Sequence, residues 1–113
     1  MQHGLINYYI QFAELKKPVE FRITRKPAKF VAEYQTVYNK RGEIKKHIIW
    51  IHLHELKSDV RDECTIIVHE LIHAMQAEGC FEEIHGPFFI RQAKRFKKEF
   101  VYLGDVFDPT IDE

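Results

Sequence analysis

The stretch that decides how this chain folds is V-H-E-L-I-H at residues 68–73, which contains His69, Glu70 and His73 in the order H-E-x-x-H. In an α-helix, residues four apart lie on one face, about one turn above each other. Two imidazoles spaced in this way can bind one Zn²⁺, and the glutamate beside the first can act on a zinc-activated water. If the stretch is helical, the pattern therefore predicts a zinc site and hydrolytic chemistry.

The residues around the motif favour that helix. Ser58 or Asp59 is the candidate N-cap, and acidic residues follow it, as the dipole of a helix N-terminus favours. Gly79 is a stop signal. We therefore predict a helix over residues 59–78, on which the two histidines share a face separate from the apolar stripe. That stripe consists of Val60, Cys64, Ile67, Val68, Leu71, Ile72 and Met75.

Patterns typical of helices and strands alternate along the rest of the chain. Apolar residues at three- and four-residue steps predict a helix over residues 4–16, ended by Pro18. Period-two alternation predicts a strand at Val19–Thr24. The later elements are a strand over 29–38, a hairpin turn at 39–42, a strand over 44–53, a last helix over 87–102 and an acidic, loosely held tail over 104–113.

These elements predict a single α+β domain spanning residues 1–113. It consists of an N-terminal helix, a three-stranded antiparallel sheet, the helix with H-E-x-x-H and a C-terminal helix. The third strand contains I-I-W-I-H-L, which is apolar on both faces near its middle, so we expect helices to cover it on one side.

A catalytic zinc needs three protein ligands and an open position for water. The metzincin continuation is excluded, because its required Gly and His are replaced by Gln76 and Gly79. The remaining candidates for the third ligand are His85, Glu78, Glu82 and Glu83. His85 is the best placed, because it follows a helix stop and a short loop and precedes Gly86, where the chain can reverse. The alternatives are a loop histidine that caps the last helix and, for the whole motif, two partly exposed histidines with Glu70 as a solvated neighbour.

Composition restricts the compartment and excludes a membrane span. No window approaches the roughly 18 consecutive apolar residues that cross a bilayer, and the first residues lack the features of a secretory signal. On the predicted helix, Cys64 and Cys80 would lie roughly 20 Å apart, far beyond the ~7 Å Cα limit for a disulfide. We therefore expect free thiols and a cytoplasmic protein.

Charge is distributed unevenly. Residues 1–57 contain 11 Lys and Arg against 5 Asp and Glu, whereas residues 58–113 contain 6 against 12. The basic residues around the predicted hairpin could contact DNA phosphates, with Tyr34 or Tyr38 stacking on bases. The alternative is protection of an edge strand by charge. The candidate DNA contacts are Lys26, Lys29, Lys40, Arg41, Lys45 and Lys46.

Three further histidines, His47, His52 and His54, lie on or just after the third strand. At period two, His52 and His54 share a face. A second metal site is one interpretation, and a solvated sheet face is the one that we favour.

Two linked motifs, H-E-L-I-H-A at 69–74 and H-G-P-F-F at 85–89, resemble the SprT-like metalloprotease domain, the family of Spartan and bacterial SprT proteins. The family pattern is H-E-x-x-H-A, a variable loop, then H-G-x-x-F opening another helix. I-I-W-I-H-L-H-E-L at 48–56 is similar to the family's last strand and its exit into the zinc helix. The resemblance covers roughly residues 30–100.

The resemblance implies a zincin-like fold and a zinc-dependent endopeptidase with one Zn²⁺ per chain. His69, His73 and His85 match the family's ligands, and Glu70 matches its catalytic glutamate. The resemblance also implies protein or peptide substrates. DNA-bound or DNA-crosslinked proteins are one option, since Spartan-type relatives degrade such proteins and are stimulated by DNA. Many longer members carry a C-terminal zinc ribbon or another DNA-binding module after this domain. This sequence ends soon after the last predicted helix, so we expect any DNA contact to use the domain's own basic residues. The alternatives are a non-catalytic zinc or DNA-binding module and a zinc hydrolase acting on other bonds.

Overall fold

A computed structural model describes residues 3–59, 61–79 and 83–112. Within these residues the predicted α+β class is confirmed. The elements, in chain order, are α1 (His3–Ala13), β1 (Val19–Thr24), β2 (Ala32–Tyr38), β3 (Ile44–His52), α2 (Leu53–Ser58), α3 (Glu63–Gly79), α4 (Pro87–Glu99) and a 3-10 turn (Pro109–Ile111). Helix α1 is shorter than predicted, because Glu14 adopts a positive φ of 55° and ends it.

The sheet is mixed, so the prediction of a fully antiparallel sheet is wrong. Its strand order is β1-β3-β2, with β1 parallel and β2 antiparallel to β3. The physical reason lies in β3, where Ile48, Ile49 and Ile51 are all buried. A strand that is apolar on both faces is most stable at the centre. Strand β1 therefore pairs with β3 and not with its sequence neighbour β2, and β1 and β2 become the two edges.

The helix that carries the motif begins later than predicted. Residues 53–58 form the short helix α2, which the sequence did not indicate, and neither Ser58 nor Asp59 caps α3. Asp62 takes that role, since its Oδ1 accepts a hydrogen bond from the backbone N–H of Thr65 at 2.7 Å. Helix α3 packs against α1, β2, β3 and α4, and it is buried along most of its length. Its histidines are therefore held by the core.

The prediction of a loosely held tail after α4 is wrong, because this part of the chain packs against the core. We call residues 104–112 the 104–112 segment. Val106 and Ile111 within it, and Leu103 just before it, are buried in the main core. These three apolar side chains recur over nine residues, and their burial outweighs the acidic composition that suggested a loose tail. The segment lies over α3, where its last described residue reaches the motif.

No helix in the described part of the chain is long and apolar enough to cross a membrane. Cys64 is a free thiol, as predicted. Val60, Cys80 and Glu82 lie outside the described residues, so the predictions for them stay predictions.

Candidate metal centre

The three histidines predicted as ligands meet at one point. His69 and His73 lie one turn apart on α3, and His85 lies in the turn that leads into α4. Their ring centroids are 4.9 to 5.1 Å apart. The Nε2 atoms of His69 and His85 approach to 3.2 Å. His85, which is separated from the other two in sequence, therefore joins them in one cluster.

A fourth residue, Asp112, completes the cluster, and sequence reasoning missed it. Its Oδ1 lies 3.1 Å from Nε2 of His69 and 3.3 Å from Nε2 of His85, and its Oδ2 lies 2.7 Å from Nε2 of His73. One ligand atom from each of the four residues fits within 4.8 Å of the others, so the group could hold a metal ion. Burial acts to raise the pKa of Asp112, but its contacts with His69 and His73 outweigh burial and hold that pKa well below its usual value.

The hydrogen bonds of two imidazoles fix which nitrogen is available to a metal. Nδ1 of His69 donates to the carbonyl of Val106 at 2.6 Å, and Nδ1 of His73 donates to Oε1 of Gln76 at 2.7 Å. With the proton on Nδ1, the lone pair on Nε2 faces the carboxylate of Asp112. Lone pairs and a carboxylate at such distances repel each other unless a cation lies between them, which is either a proton on Nε2 or a bound metal ion. Hydrogen bonds of this kind are the usual support of metal-binding histidines.

The spacing of the four ligand atoms also fits a small tetrahedral ion. Zinc binds nitrogen and oxygen at about 2.0–2.2 Å, so neighbouring ligand atoms of a tetrahedral site lie about 3.4 Å apart. The four contacts of Asp112 with the three imidazoles and of His69 with His85 span 2.7 to 3.3 Å, slightly shorter than that value, and the four ligand atoms all lie within 4.8 Å of one another. Three imidazoles and one carboxylate are ligands that zinc accepts. The residues present therefore fit zinc.

Gln76 connects the two parts of the site. Its side-chain oxygen accepts from His73, and its Nε2 donates to the carbonyls of Glu83 at 3.0 Å and Ile84 at 2.7 Å. One amide therefore orients a ligand on α3 and also fixes the turn that carries His85. This residue occupies the position where a metzincin would have glycine, and its role was not predicted.

The H-G-P-F-F motif supplies the floor of the site and a tight turn. The ring of Phe89 is fully buried, and its centroid lies 4.7, 5.0 and 5.1 Å from those of His69, His73 and His85. A Cβ on Gly86 would lie 2.6 Å from the Cβ of Glu83, closer than real side chains approach. Glycine at residue 86 is therefore needed for the turn that brings the third imidazole to the other two.

Glu70 is fully buried beside the cluster, so the alternative of a solvated neighbour is wrong. Neither of its carboxylate oxygens has a hydrogen-bond partner among the described residues. Burial, together with the negative charge of Asp112, raises the pKa of Glu70 well above its usual value. An unpartnered buried carboxylate is costly and needs a ligand or a cation to offset it. Its position favours a chemical role.

Two of the other candidate ligands, Glu78 and Glu83, lie outside the cluster. Oε2 of Glu78 lies 2.6 Å from Nε2 of His47, and the carboxylate of Glu78 accepts the backbone N–H groups of Lys16 and Lys17. Glu78 therefore ties α3 to β3 and to the connection between α1 and β1. Glu83 is exposed, and Glu82 lies outside the described residues.

The histidines of β3 do not form a solvated face, and that prediction is wrong. His47 and His52 are buried, and only His54, on α2, is exposed. The hydroxyl of Tyr34 bonds Nδ1 of His47 at 2.6 Å, and burial raises the pKa of Tyr34 to about 12. The hydroxyl of Tyr34 therefore belongs to a hydrogen-bond network within the fold. Among the described residues these histidines also contribute no ligand to a second metal cluster.

The six basic residues proposed for DNA contact do not form one patch. Lys40 and Arg41 are exposed at the β2–β3 turn, with Lys45 exposed just beyond it. Lys26 and Lys29 lie in the connection before β2, at the end of that strand opposite the turn. Since β2 has seven residues, its two ends are about 20 Å apart. Lys46 is half-buried and pairs with Glu20 at 2.9 Å. Only the residues of the turn group lie together. They are Lys40, Arg41 and Lys45.

Comparison of the chain with protein-family models, with curated proteins and with solved structures finds no match. What the site can do therefore follows from its own geometry. That geometry combines three imidazoles and a carboxylate able to hold a metal with a second, unpartnered carboxylate beside them.

Proposed function

We propose that this chain is a zinc-dependent endopeptidase of the SprT-like type, with a zincin-like fold and one Zn²⁺ bound by His69, His73 and His85. The observation that carries the proposal is the convergence of the three imidazoles next to a buried, unpartnered Glu70. A purely structural metal site has no use for such a carboxylate. The two family motifs lie at this site, and Gly86 and Phe89 of the second one have the structural roles described above.

The chemistry assigns one role to the metal and the others to the protein. When bound, zinc polarises a substrate carbonyl and lowers the pKa of a water, to about 7 in three-histidine sites. Glu70 accepts the proton from the attacking water and passes it to the leaving amine. Its buried surroundings raise its affinity for that proton, and the nearby cation opposes this effect. Val106 and Gln76 keep the imidazoles in the required tautomer, and Phe89 excludes water from one side.

An extended protein segment is the substrate class that the fold favours. Strand β2 is an edge of the sheet, packs against α3, and carries Tyr34, whose ring centroid lies 6.4 Å from that of His73. An extended segment can pair with such an edge through its backbone and so pass close to the metal. The exposed group Lys40, Arg41 and Lys45 lies at the end of the same strand. We therefore include DNA-bound proteins among the candidate substrates.

A second candidate function is a metal-binding module that does not cleave its partner. The observation that favours it is Asp112, which supplies a fourth ligand where a catalytic zinc keeps an open position. Glu70 is the residue that separates the two candidates, because a closed structural site does not need a base.

Proteolysis of a flexible protein such as casein, with and without single-stranded DNA, tests the proposal. The zinc-loaded chain is compared with Glu70→Gln and with Glu63→Gln, the same substitution at the start of the same helix. We expect Glu70→Gln to keep its zinc and to lose at least a hundredfold in rate, as is usual for removal of a general base. Glu63→Gln should cleave like the unaltered chain. Equal rates in all three proteins, or no cleavage in any of them and in the opened variant described below, would contradict the proposal.

A further inference from the structure

We propose that Asp112 is an internal inhibitor, which occupies the metal position that water and substrate need, so that the described conformation is a closed form of the enzyme. This inference rests on the proposed function and concerns the regulation of the same site. It explains how a catalytic ligand set and a fourth protein ligand can occur in one chain.

The position of Asp112 is the first observation. Its carboxylate contacts Nε2 of all three histidines at 2.7 to 3.3 Å, so it faces the metal position directly. A catalytic zinc binds three protein ligands and keeps the fourth position for water. A carboxylate in that position competes with the water for the same place.

The candidate base lies beside the same cluster. Glu70 is fully buried, and neither of its carboxylate oxygens has a hydrogen-bond partner among the described residues. A water in place of the Asp112 carboxylate would give Glu70 a donor. Movement of Asp112 away from the cluster would therefore free a coordination position for water and would also give Glu70 a hydrogen-bond partner.

The 104–112 segment is anchored by contacts of two kinds. Ile111 is fully buried, which holds the end of the segment against the core. At the surface, the guanidinium of Arg61 bonds Oδ2 of Asp108 at 2.9 Å and Oγ1 of Thr110 at 2.8 Å. We call these Arg61 contacts the Arg61 clamp. They are polar and partly exposed, so they can be exchanged for water at modest cost.

The packing of the segment also permits movement. Between it and α4 lies an open, mainly apolar pocket of about 270 Å³, so this side of the segment is not closely packed; the pocket is lined by Ile90, Ala93, Lys94, Lys97, Asp105, Val106 and Phe107. The carbonyl that orients His69 belongs to Val106, six residues before Asp112. Asp112 can therefore leave while the tautomer of His69 stays fixed.

The test uses Co²⁺ in place of zinc, because the visible spectrum of Co²⁺ reports its ligands. Acetohydroxamate, a small metal chelator, serves as the probe of an open position. Its dissociation constant is measured for the unaltered chain, for Asp112→Ala and for Asp105→Ala, an exposed aspartate of the same segment. We expect Asp112→Ala to bind the probe at least about tenfold more tightly, because the apparent affinity is proportional to the fraction of molecules whose metal position is open. Asp105→Ala should match the unaltered chain.

Two results would overturn the inference. One is equal affinity for acetohydroxamate in the unaltered chain and Asp112→Ala. The other is loss of Co²⁺ from Asp112→Ala, which would make Asp112 a structural ligand. If Asp112→Ala does not fold, Asp112→Asn keeps the shape of the side chain and removes its charge. It should give an intermediate gain in probe affinity, and no gain would again contradict the inference.

Casein cleavage, measured on the same proteins, separates this inference from the proposed function. Tighter probe binding by Asp112→Ala without cleavage in any protein would support Asp112 as the group that blocks the metal position, and it would refute the proposed peptidase. Cleavage by the unaltered chain with no change in probe affinity would refute the inhibitor and support the peptidase.

Discussion

At the scale of single residues, Gln76 shows how much of a metal site is set by residues that do not touch the metal. It orients His73 through its oxygen and fixes the turn before His85 through its nitrogen. Such supporting hydrogen bonds are worth as much to affinity as a weak ligand. Loss of this amide should therefore disturb the positions of both His73 and His85.

We predict that Gln76→Ala weakens zinc binding by about 10- to 100-fold, the usual effect of removing a supporting partner. Competition with a chromogenic zinc chelator measures the affinity. Gln76→Glu keeps the acceptor for His73 and removes both donors to the turn, so it should lose part of that affinity. Gln11→Ala, an exposed glutamine of α1, is the matched control and should bind zinc normally. Unchanged zinc affinity in Gln76→Ala would show that the tautomer of His73 is set in another way.

Sequence identified the residues whose spacing is fixed by local structure. His69, Glu70 and His73 follow from helix periodicity, and His85 from a helix stop and a short turn. Asp112 could not be found in this way, because it reaches the cluster through tertiary packing and follows no spacing rule. Its only sequence signal was the apolar residues in an acidic stretch, Val106 and Ile111, which are both buried. Gln76 was noticed only as a departure from another family's pattern.

At the scale of elements, the sheet shows the limit of local patterns. Period-two alternation predicted β1, a composition rich in β-forming residues predicted β2, and a run that is apolar on both faces predicted β3. The order β1-β3-β2 depends on which strand is buried on both faces. The same limit applies to residues 53–58, which form the helix α2 although no local pattern indicated a helix there. Local patterns thus predict the elements better than they predict their neighbours.

The Arg61 clamp joins the connection between α2 and α3 to the 104–112 segment. Besides its bonds to Asp108 and Thr110, Arg61 bonds Oδ1 of Asp59 at 2.8 Å through Nε. The hydrogen bond from Arg61 holds the pKa of Asp59 below its usual value. A carboxylate with a lowered pKa in the folded state stabilises the fold above its unfolded pKa, about 4, and loses that effect as the pH falls further.

We predict that Arg61→Gln lowers the free energy of unfolding at pH 7 by about 1–2 kcal/mol, since it removes charged hydrogen bonds at a partly exposed site. The loss should shrink as the pH falls below about 4 and through the lowered pKa of Asp59, because protonation of Asp59 removes the charge that favours Arg61. Urea unfolding at several pH values measures both effects. Arg61→Lys keeps the charge but not the paired geometry, and it should recover only part of the stability. A loss that stays constant from pH 7 to well below pH 4 would show that the carboxylate of Asp59 has no share in the stabilisation by Arg61.

At the scale of the whole molecule, the two halves of the chain have separate tasks. Residues 1–57 have an excess of six positive charges and form α1, the sheet and most of α2. Residues 58–113 have an excess of six negative charges and supply all four residues of the metal cluster. The acidic half favours the approach of a cation, and the exposed basic turn of the other half favours an anionic partner. The site is therefore supported by the whole fold, although its ligands come from one half.

All the proposals depend on a zinc bound by three imidazoles, and the most direct test is X-ray absorption at the zinc edge of the zinc-loaded chain. The spectrum should show one zinc per chain with three imidazole nitrogens and one oxygen at about 2.0–2.2 Å. In Asp112→Ala the three imidazoles should remain, with the oxygen now from solvent. A sulfur ligand, or fewer than three imidazoles in the unaltered chain, would contradict the account.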